Sequence, residues 1–304
     1  MKPIRKLDEM VEHVKGLGLK RRIAVVLAED PNTVGAIAKA VKEGFAEAIM
    51  LGDAQKIKDV SKAEGVDPSI FTIIDIPNDI ECANEAVRMV RDGEADVLMK
   101  GLVGTDKFLK AVLNKQKGLL PPKAVMSYVC AVEIPKYDKL LFLTDTAVIP
   151  FPDLNQKIAM LKYSVTMAQK FGIEKPKVAL LSAAEKASAH FPSHTDYAVM
   201  CKMVNRRQLP DCTIDGPIDM FLACDPASVA IKGVPTPVNG QADVLLFPSI
   251  EASNIFYKGI MLFGGGELAG LIQGTIKPVV VMSRSESAAS KYYCIALSCL
   301  MAED

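Results

Sequence analysis

The 304-residue sequence has no excess charge of either sign: 36 Lys and Arg stand against 36 Asp and Glu, for a formal net charge of zero. Proteins that grip nucleic-acid backbones carry a basic patch or stripe, so no nucleic-acid partner is expected. No apolar run is long enough to cross a bilayer, so no membrane partner is expected either. The start, MKPIRKLDEMVEHVKGLG, reads as a charged amphipathic helix with Ile4, Leu7, Met10 and Val14 on one stripe, not as a secretion signal. None of the seven cysteines belongs to a CxxC pair, and their odd number fits reduced thiols in a cytoplasmic protein better than a disulfide framework. The GxxxxGK[ST] phosphate loop and the GxGxxG dinucleotide fingerprint are both missing. There is no repeat, low-complexity tract or charge block. His190 and His194 stand four apart beside Asp196, a spacing that would put metal ligands on one helical face, but Pro192 breaks a helix between them; no metal site is expected.

What the chain does have is apolar residues, half of the total, enough for about two domains. The first third alternates strands and helices. Strand signals at Arg22–Leu27, Ala46–Asp53, Phe71–Asp75 and Ala95–Met99 are separated by helical patterns, the first opened by Asp30-Pro31-Asn32-Thr33. That alternation predicts a parallel, doubly wound sheet. The fourth strand ends in Lys100-Gly101-Leu102-Val103-Gly104-Thr105, and a helix follows over 104–114. Glycines at a strand-to-helix turn let the backbone approach a ligand, with Lys100 projecting from the strand end; a purely steric role for both glycines is the other reading. Beyond Pro121-Pro122 the pattern changes to extended segments at Ala124–Val132 and Leu140–Thr144. A helix over 153–171, strands at Lys177–Leu181, Cys212–Ile214 and Ala242–Phe247, helices over 195–206 and Asn254–Phe263, and a loop at Gly264-Gly265-Gly266 follow.

The stretch 277–291, KPVVVMSRSESAASK, begins as a buried β-branched strand, stops at Ser283-Arg284, and resumes as a helix after Ser285, Glu286 and Ser287. Arg284 thus falls where α/β sheets bind ligands, outside the carboxyl end of a strand, with helix N–H groups and a guanidinium fork suited to phosphate. An ion pair with Glu286 or a capping role is the alternative. The fold expected is two doubly wound α/β domains with a cleft between them: a discontinuous first domain of residues 1–128 and 275–304, and a second of residues 129–274. Ligands would bind in the cleft.

Seven stretches in order carry a family likeness: ADVLMKGLVGTDKFLKAVL (95–113), YDKLLFLTDTAV (137–148), FGIEKPKVALLSAAE (171–185), Thr195-Asp196, DGP (215–217), ADVLLFPSIEASNIFYK (242–258) and Ser283-Arg284. With these the chain resembles the phosphate acetyl/butyryltransferases, and the butyryl branch more than the acetyl. The resemblance implies an isocitrate/isopropylmalate dehydrogenase-like fold, a homodimer, and the reaction acyl-CoA + phosphate ⇌ acyl phosphate + CoA. CoA is then a substrate and no cofactor is required.

The same resemblance implies roles. Arg284 would hold phosphate and Ser283 would hydrogen-bond the carbonyl oxygen. Lys100, Gly101, Gly104, Thr105, Asp145, Asn254 and Ser290 would contribute to substrate binding. The acetyl branch has an aspartate, regarded as the base, at the position of Ser290; Glu286 is the nearest carboxylate in sequence and the substitute candidate, with a helix-dipole role as its alternative. Other departures are Ile149, Phe221 and Ser253, where the family generally has Asn, Asp and Gly. Ile149 and Phe221 are expected to form an apolar wall for a four-carbon or branched acyl group, or else to pack the second domain's core. Two further readings stay open: a catalytically inactive binding paralogue, and a metal-dependent dehydrogenase on the same fold.

Overall fold

The computed structural model describes residues 2–282 and 286–302; Ser283 and Arg284 lie outside the described residues. Contacts divide the chain into two units, Leu7–Met126 with Glu267–Asp304, and Met1–Lys6 with Ser127–Gly266.

In the first unit, β1 (Arg21–Val26), β2 (Ala46–Gly52), β3 (Thr72–Asp75), β4 (Val97–Lys100) and β11 (Val279–Val280) run parallel in the order β3-β2-β1-β4-β11. Strand β10 (Glu267–Gln273) lies beside β11 and antiparallel to it. β1 and β4 are buried on both faces, which is why they read as continuous apolar runs instead of alternating ones. The intervening helices begin where short polar side chains can cap them. Asp30 accepts from the Thr33 N–H at the start of α2 (Pro31–Lys42), with Pro31 in the first turn, and Asn78 caps α4 (Asp79–Arg91). Helix α11 (Ala288–Met301) is capped by Ser287 and buries ten of its fourteen residues. An all-round apolar helix needs cover on all sides, and α1 (Leu7–Gly16), α2 and β10 supply it.

The sequence pattern left ELAGLIQ (267–273) without an element, treating the three glycines as a loop inside the second domain. That segment is β10, and its contacts belong with Leu7–Met126, so the boundary between units falls at Gly266 where the sequence placed it after residue 274.

The second unit holds β5 (Ser127–Glu133), β6 (Leu141–Thr144), β7 (Lys177–Leu181), β8 (Thr213–Ile218) and β9 (Val244–Leu246), in the order β5-β6-β9-β7-β8. β5 is antiparallel to β6 and the other pairs are parallel. Helix α6 (Leu154–Lys170) starts with a capping box between Asp153 and Gln156. Helices α7 (Pro192–Asn205), α8 (Met220–Cys224) and α10 (Ile250–Phe263) flank the strand ends. Strand β8 runs through Asp215-Gly216-Pro217, which the sequence pattern had ended at residue 214. A Cβ on Gly216 would sit 2.4 Å from the Leu180 Cβ and 2.6 Å from its carbonyl oxygen, so glycine is what lets β8 continue past β7.

Candidate functional site

Each unit carries a cavity beyond the carboxyl ends of its parallel strands, the position at which open α/β sheets bind ligands. In the first unit a cavity of 180 Å³ lies beyond β1, β4 and β11, between Asp30 and Thr33 at the start of α2, Lys100 and Gly101 after β4, Met282 after β11, and Lys291 from α11. Lys100 and Lys291 are each 8 % exposed. The Lys100 ammonium donates to the Gly101 carbonyl at 3.2 Å, and that of Lys291 lies 3.4 Å from the Asp30 carboxylate. Two buried lysines thus reach one recess beyond the strand ends, where a charge-assisted hydrogen bond to an anion is stronger than at an exposed surface.

Gly101 shapes this recess by steric necessity. Its N–H donates to the Val26 carbonyl at 2.9 Å, and a Cβ there would lie 2.5 Å from the Leu27 oxygen and 2.6 Å from the Val26 oxygen. Gly101→Ala is therefore expected to displace Lys100 and to destabilise the protein by about 1–3 kcal/mol, a loss read from a chemical-denaturation curve compared with that of the parent. Gly104 is the N-cap of α5 (Thr105–Val112) without a side-chain cap, and Thr105 is exposed on the first turn of that helix.

Ser290 does not line this cavity. It is 2 % exposed; its hydroxyl donates to the Glu267 carboxylate at 2.6 Å and accepts from the Leu268 N–H at 3.2 Å. Ser287 donates to the same Glu267 oxygen at 2.7 Å and caps α11 through the Ser290 N–H at 2.9 Å. Capping thus belongs to Ser287, with Glu286 in the bend just before the helix. Glu267, absent from the sequence reading because its strand went unrecognised, puts a carboxylate against the two hydroxyls at the start of α11.

In the second unit, Asp145 and Asn254 come together as the frame of a turn. The Asp145 carboxylate, 2 % exposed, accepts from the Ser127 hydroxyl at 2.9 Å and from three backbone N–H groups, those of Tyr128, Ala147 and Val148, at 3.1, 2.8 and 2.8 Å. Burial raises its pKa against the pull of these four donors. Asn254 donates to the Thr146 carbonyl at 2.9 Å, and Ser253 donates to the Asp145 carbonyl. Ser253 is thus a fastener between α10 and the turn after β6.

A larger cavity of 580 Å³ lies in the same unit beyond β7 and β9. Its walls are apolar, built from Phe151, Phe191, Phe247, Met220 and three prolines, with Ser182 as a polar group among them. The Ser182 hydroxyl is 2.7 Å from His194 Nε2, and the Ser188 N–H donates to His194 Nδ1 at 3.1 Å. Burial lowers the His194 pKa. A folded-state pKa below the ordinary imidazole value of about 6.5 contributes stability that is complete above that value and is lost as pH falls through the folded pKa. The melting temperature of the parent should accordingly drop more steeply on acidification than that of His194→Gln, measured from pH 8 down to 5.

Phe221, 63 % exposed on α8, and Ile149, 6 % exposed, are outside the lining of this cavity; Met220, one residue before Phe221, is the α8 residue in its wall. Core packing does not explain Phe221 either. Among the described residues no three His, Cys, Asp or Glu side chains gather as a metal site; His194 faces Ser182, while His190 precedes α7. No described helix is long and apolar enough to cross a membrane.

Residues 77–299 match the family model described as phosphate acetyl/butaryl transferase. The chain is 40 % identical to a phosphate butyryltransferase of Clostridium acetobutylicum, over 98 % of this chain and 99 % of that one. It is 34 % identical to a phosphate acetyltransferase of Thermotoga maritima, over 97 % and 99 % respectively. A solved branched-chain phosphotransacylase from Enterococcus faecalis superimposes with a TM-score of 0.81 at 29 % identity, covering 93 % of this chain and all of that one. A family match over most of the chain, joined to near-complete alignment with these relatives, places the chain in the phosphate acetyl/butaryl transferase family.

Proposed function

We propose that this chain transfers a short acyl group between CoA and inorganic phosphate, acyl-CoA + phosphate ⇌ acyl phosphate + CoA. The observation that carries the reading is the lysine-lined recess of the first unit: two nine-tenths-buried lysines beyond the strand ends, in a cavity whose wall includes Met282, the residue directly before Ser283-Arg284. A phosphate oxygen attacks the thioester carbonyl, a tetrahedral oxyanion forms, and its collapse expels CoA as the thiolate. In reverse, the CoA thiol gives up its proton and attacks the acyl phosphate. Lys100, Lys291 and Arg284 supply charge and donors for the phosphoryl oxygens. Ser283 donates to the carbonyl oxygen, and a carboxylate, Glu286 or Glu267, takes the thiol proton. No metal or redox cofactor takes part in these steps.

The names of the butyryl and branched-chain relatives support a four-carbon or branched acyl group as substrate. One added methylene in an apolar site is worth about 1–3 kcal/mol of discrimination. Specificity constants on a panel of acyl-CoAs with phosphate should favour butyryl- or isobutyryl-CoA over acetyl-CoA by at least about tenfold. Equal values for acetyl- and butyryl-CoA would contradict the assignment of the acyl group.

A homodimer in the cytoplasm belongs to the same proposal. Helix α10 supports the dimer: of its fourteen residues only Ser253 is buried, while Ile255, Leu262 and Phe263 are 73, 75 and 86 % exposed. Leu262→Glu with Phe263→Lys should convert a dimer to a monomer in sedimentation velocity; an unchanged dimer would place the interface elsewhere.

A further inference from the structure

The Ser182–His194 pair has the geometry of a nucleophile and its base, but its hydrogen bonds run the other way. A backbone N–H only donates, so the bond from Ser188 assigns the lone pair to Nδ1 of His194 and the hydrogen of the neutral ring to Nε2. Nε2–H then donates to the Ser182 oxygen. A ring that donates to the serine cannot take its proton, so this is no activated nucleophile. The ring is locked in that orientation by stacking on Phe191, with centroids 4.6 Å apart and planes at 21°. Ser182 keeps its own hydroxyl proton. Among the described residues His194 is the side-chain partner of that hydroxyl, and Ser182 lines the 580 Å³ cavity.

The charged side chain in the cavity lining, Lys157, is neutralised. The Lys157 ammonium, 4 % exposed, is bonded to the Asp196 carboxylate at 2.7 Å and the Pro152 carbonyl at 2.6 Å. The cavity therefore offers no net charge to a phosphate group. It offers aromatic and proline walls, the hydroxyl of Ser193 and the hydroxyl of Ser182, which His194 orients. Its volume suits a drug-sized ligand, for which pockets run about 300–1,000 Å³, and exceeds what a four-carbon acyl chain alone would fill.

Resting on the transferase reading, we propose that this cavity binds the uncharged pantetheine–acyl arm of acyl-CoA, with Ser182, oriented by neutral His194, donating a hydrogen bond to one of the arm's carbonyl oxygens. The arm is flexible, mostly apolar and punctuated by amide and thioester carbonyls, and it carries none of the phosphate charge of the nucleotide half. Ser182 is thus a substrate-binding residue and His194 a positioning residue.

The test uses two probes and calorimetric titration: S-butyryl-pantetheine for the arm and adenosine 3′,5′-bisphosphate for the nucleotide half. Ser182→Ala should weaken S-butyryl-pantetheine by about tenfold, the value of one neutral hydrogen bond, and leave the bisphosphate unchanged. His194→Gln, whose amide replaces the Nε2–H donor, should retain most of the affinity, whereas His194→Phe should match Ser182→Ala. Ala252→Leu, which adds bulk at the cavity wall without touching the pair, should also weaken the arm probe. Thermal melts establish that each variant is folded. Unchanged S-butyryl-pantetheine affinity in both Ser182→Ala and Ala252→Leu overturns the proposal. So does a loss confined to the bisphosphate, which would give the cavity to the nucleotide. Phosphate-dependent turnover of butyryl-CoA by the parent protein is measured separately, so a failure of the transferase reading is distinguishable from a failure of this one.

Discussion

Lys100→Met is expected to raise the KM for phosphate by roughly 10- to 150-fold while leaving the KM for acyl-CoA within about twofold. The range corresponds to about 1.5–3 kcal/mol for a hydrogen bond to a charged group. Methionine keeps the length and apolar stem of lysine, so the fold should survive; Lys100 is the last residue of β4 and 8 % exposed. The Asp30 carboxylate sharpens the expectation. With Lys100 gone, the recess loses one of its two buried lysines, and the Lys291 that remains lies 3.4 Å from the Asp30 carboxylate. Lys291→Met should have a similar effect, and Arg284→Lys should recover only part of what Arg284→Ala loses, since an ammonium lacks the planar fork. Phosphate kinetics identical to the parent's in both Lys100→Met and Lys291→Met would remove the recess from the reaction.

The second large effect concerns the proton of the CoA thiol. A general base contributes about a hundred- to ten-thousandfold to a rate. Glu286 and Glu267 are both within the first unit near the start of α11, but their settings differ. Glu267 accepts from Ser287 and Ser290 through one carboxylate oxygen. Replacing the carboxylate that acts should cut turnover of acyl phosphate with CoA by at least about a hundredfold and remove the acidic limb of the pH–rate profile. Replacing the other should change turnover only slightly. Glu267→Gln and Glu286→Gln, assayed side by side from pH 5 to 9, decide between them. A full acidic limb in both variants would assign the base to another residue.

The parallel, doubly wound character of the first unit was legible, though not its strand order, because β1, β2, β3 and β4 are apolar, β-rich runs separated by helices. Asp30-Pro31 and Asn78-Asp79 announce those helix starts in the sequence itself. β10 was not legible, because ELAGLIQ follows three glycines and carries a charged residue at one end and Gly270 in its middle. Losing that strand also hid Glu267. Lys100 was found because a strand visibly ends there. Lys291 was not, because its chemistry depends on α11 packing against α2, a contact between residues 261 positions apart in the chain. In the sequence His194 stands out only as part of a possible metal spacing with His190 and Asp196, and nothing there pairs it with Ser182. Its real geometry comes from α7 starting at Pro192 and carrying His194 back toward the end of β7. Asp145 and Asn254 were legible as a motif, but the motif's visible work in the structure is to hold a turn.

The central claim is that phosphate, and not water, receives the acyl group. The direct measurement incubates the purified protein with butyryl-CoA, with and without inorganic phosphate, and quantifies free thiol and butyryl phosphate in the same samples. The account predicts no thiol release without phosphate, and with phosphate one butyryl phosphate for each thiol freed. Thiol release without acyl phosphate, or none under either condition, would contradict it.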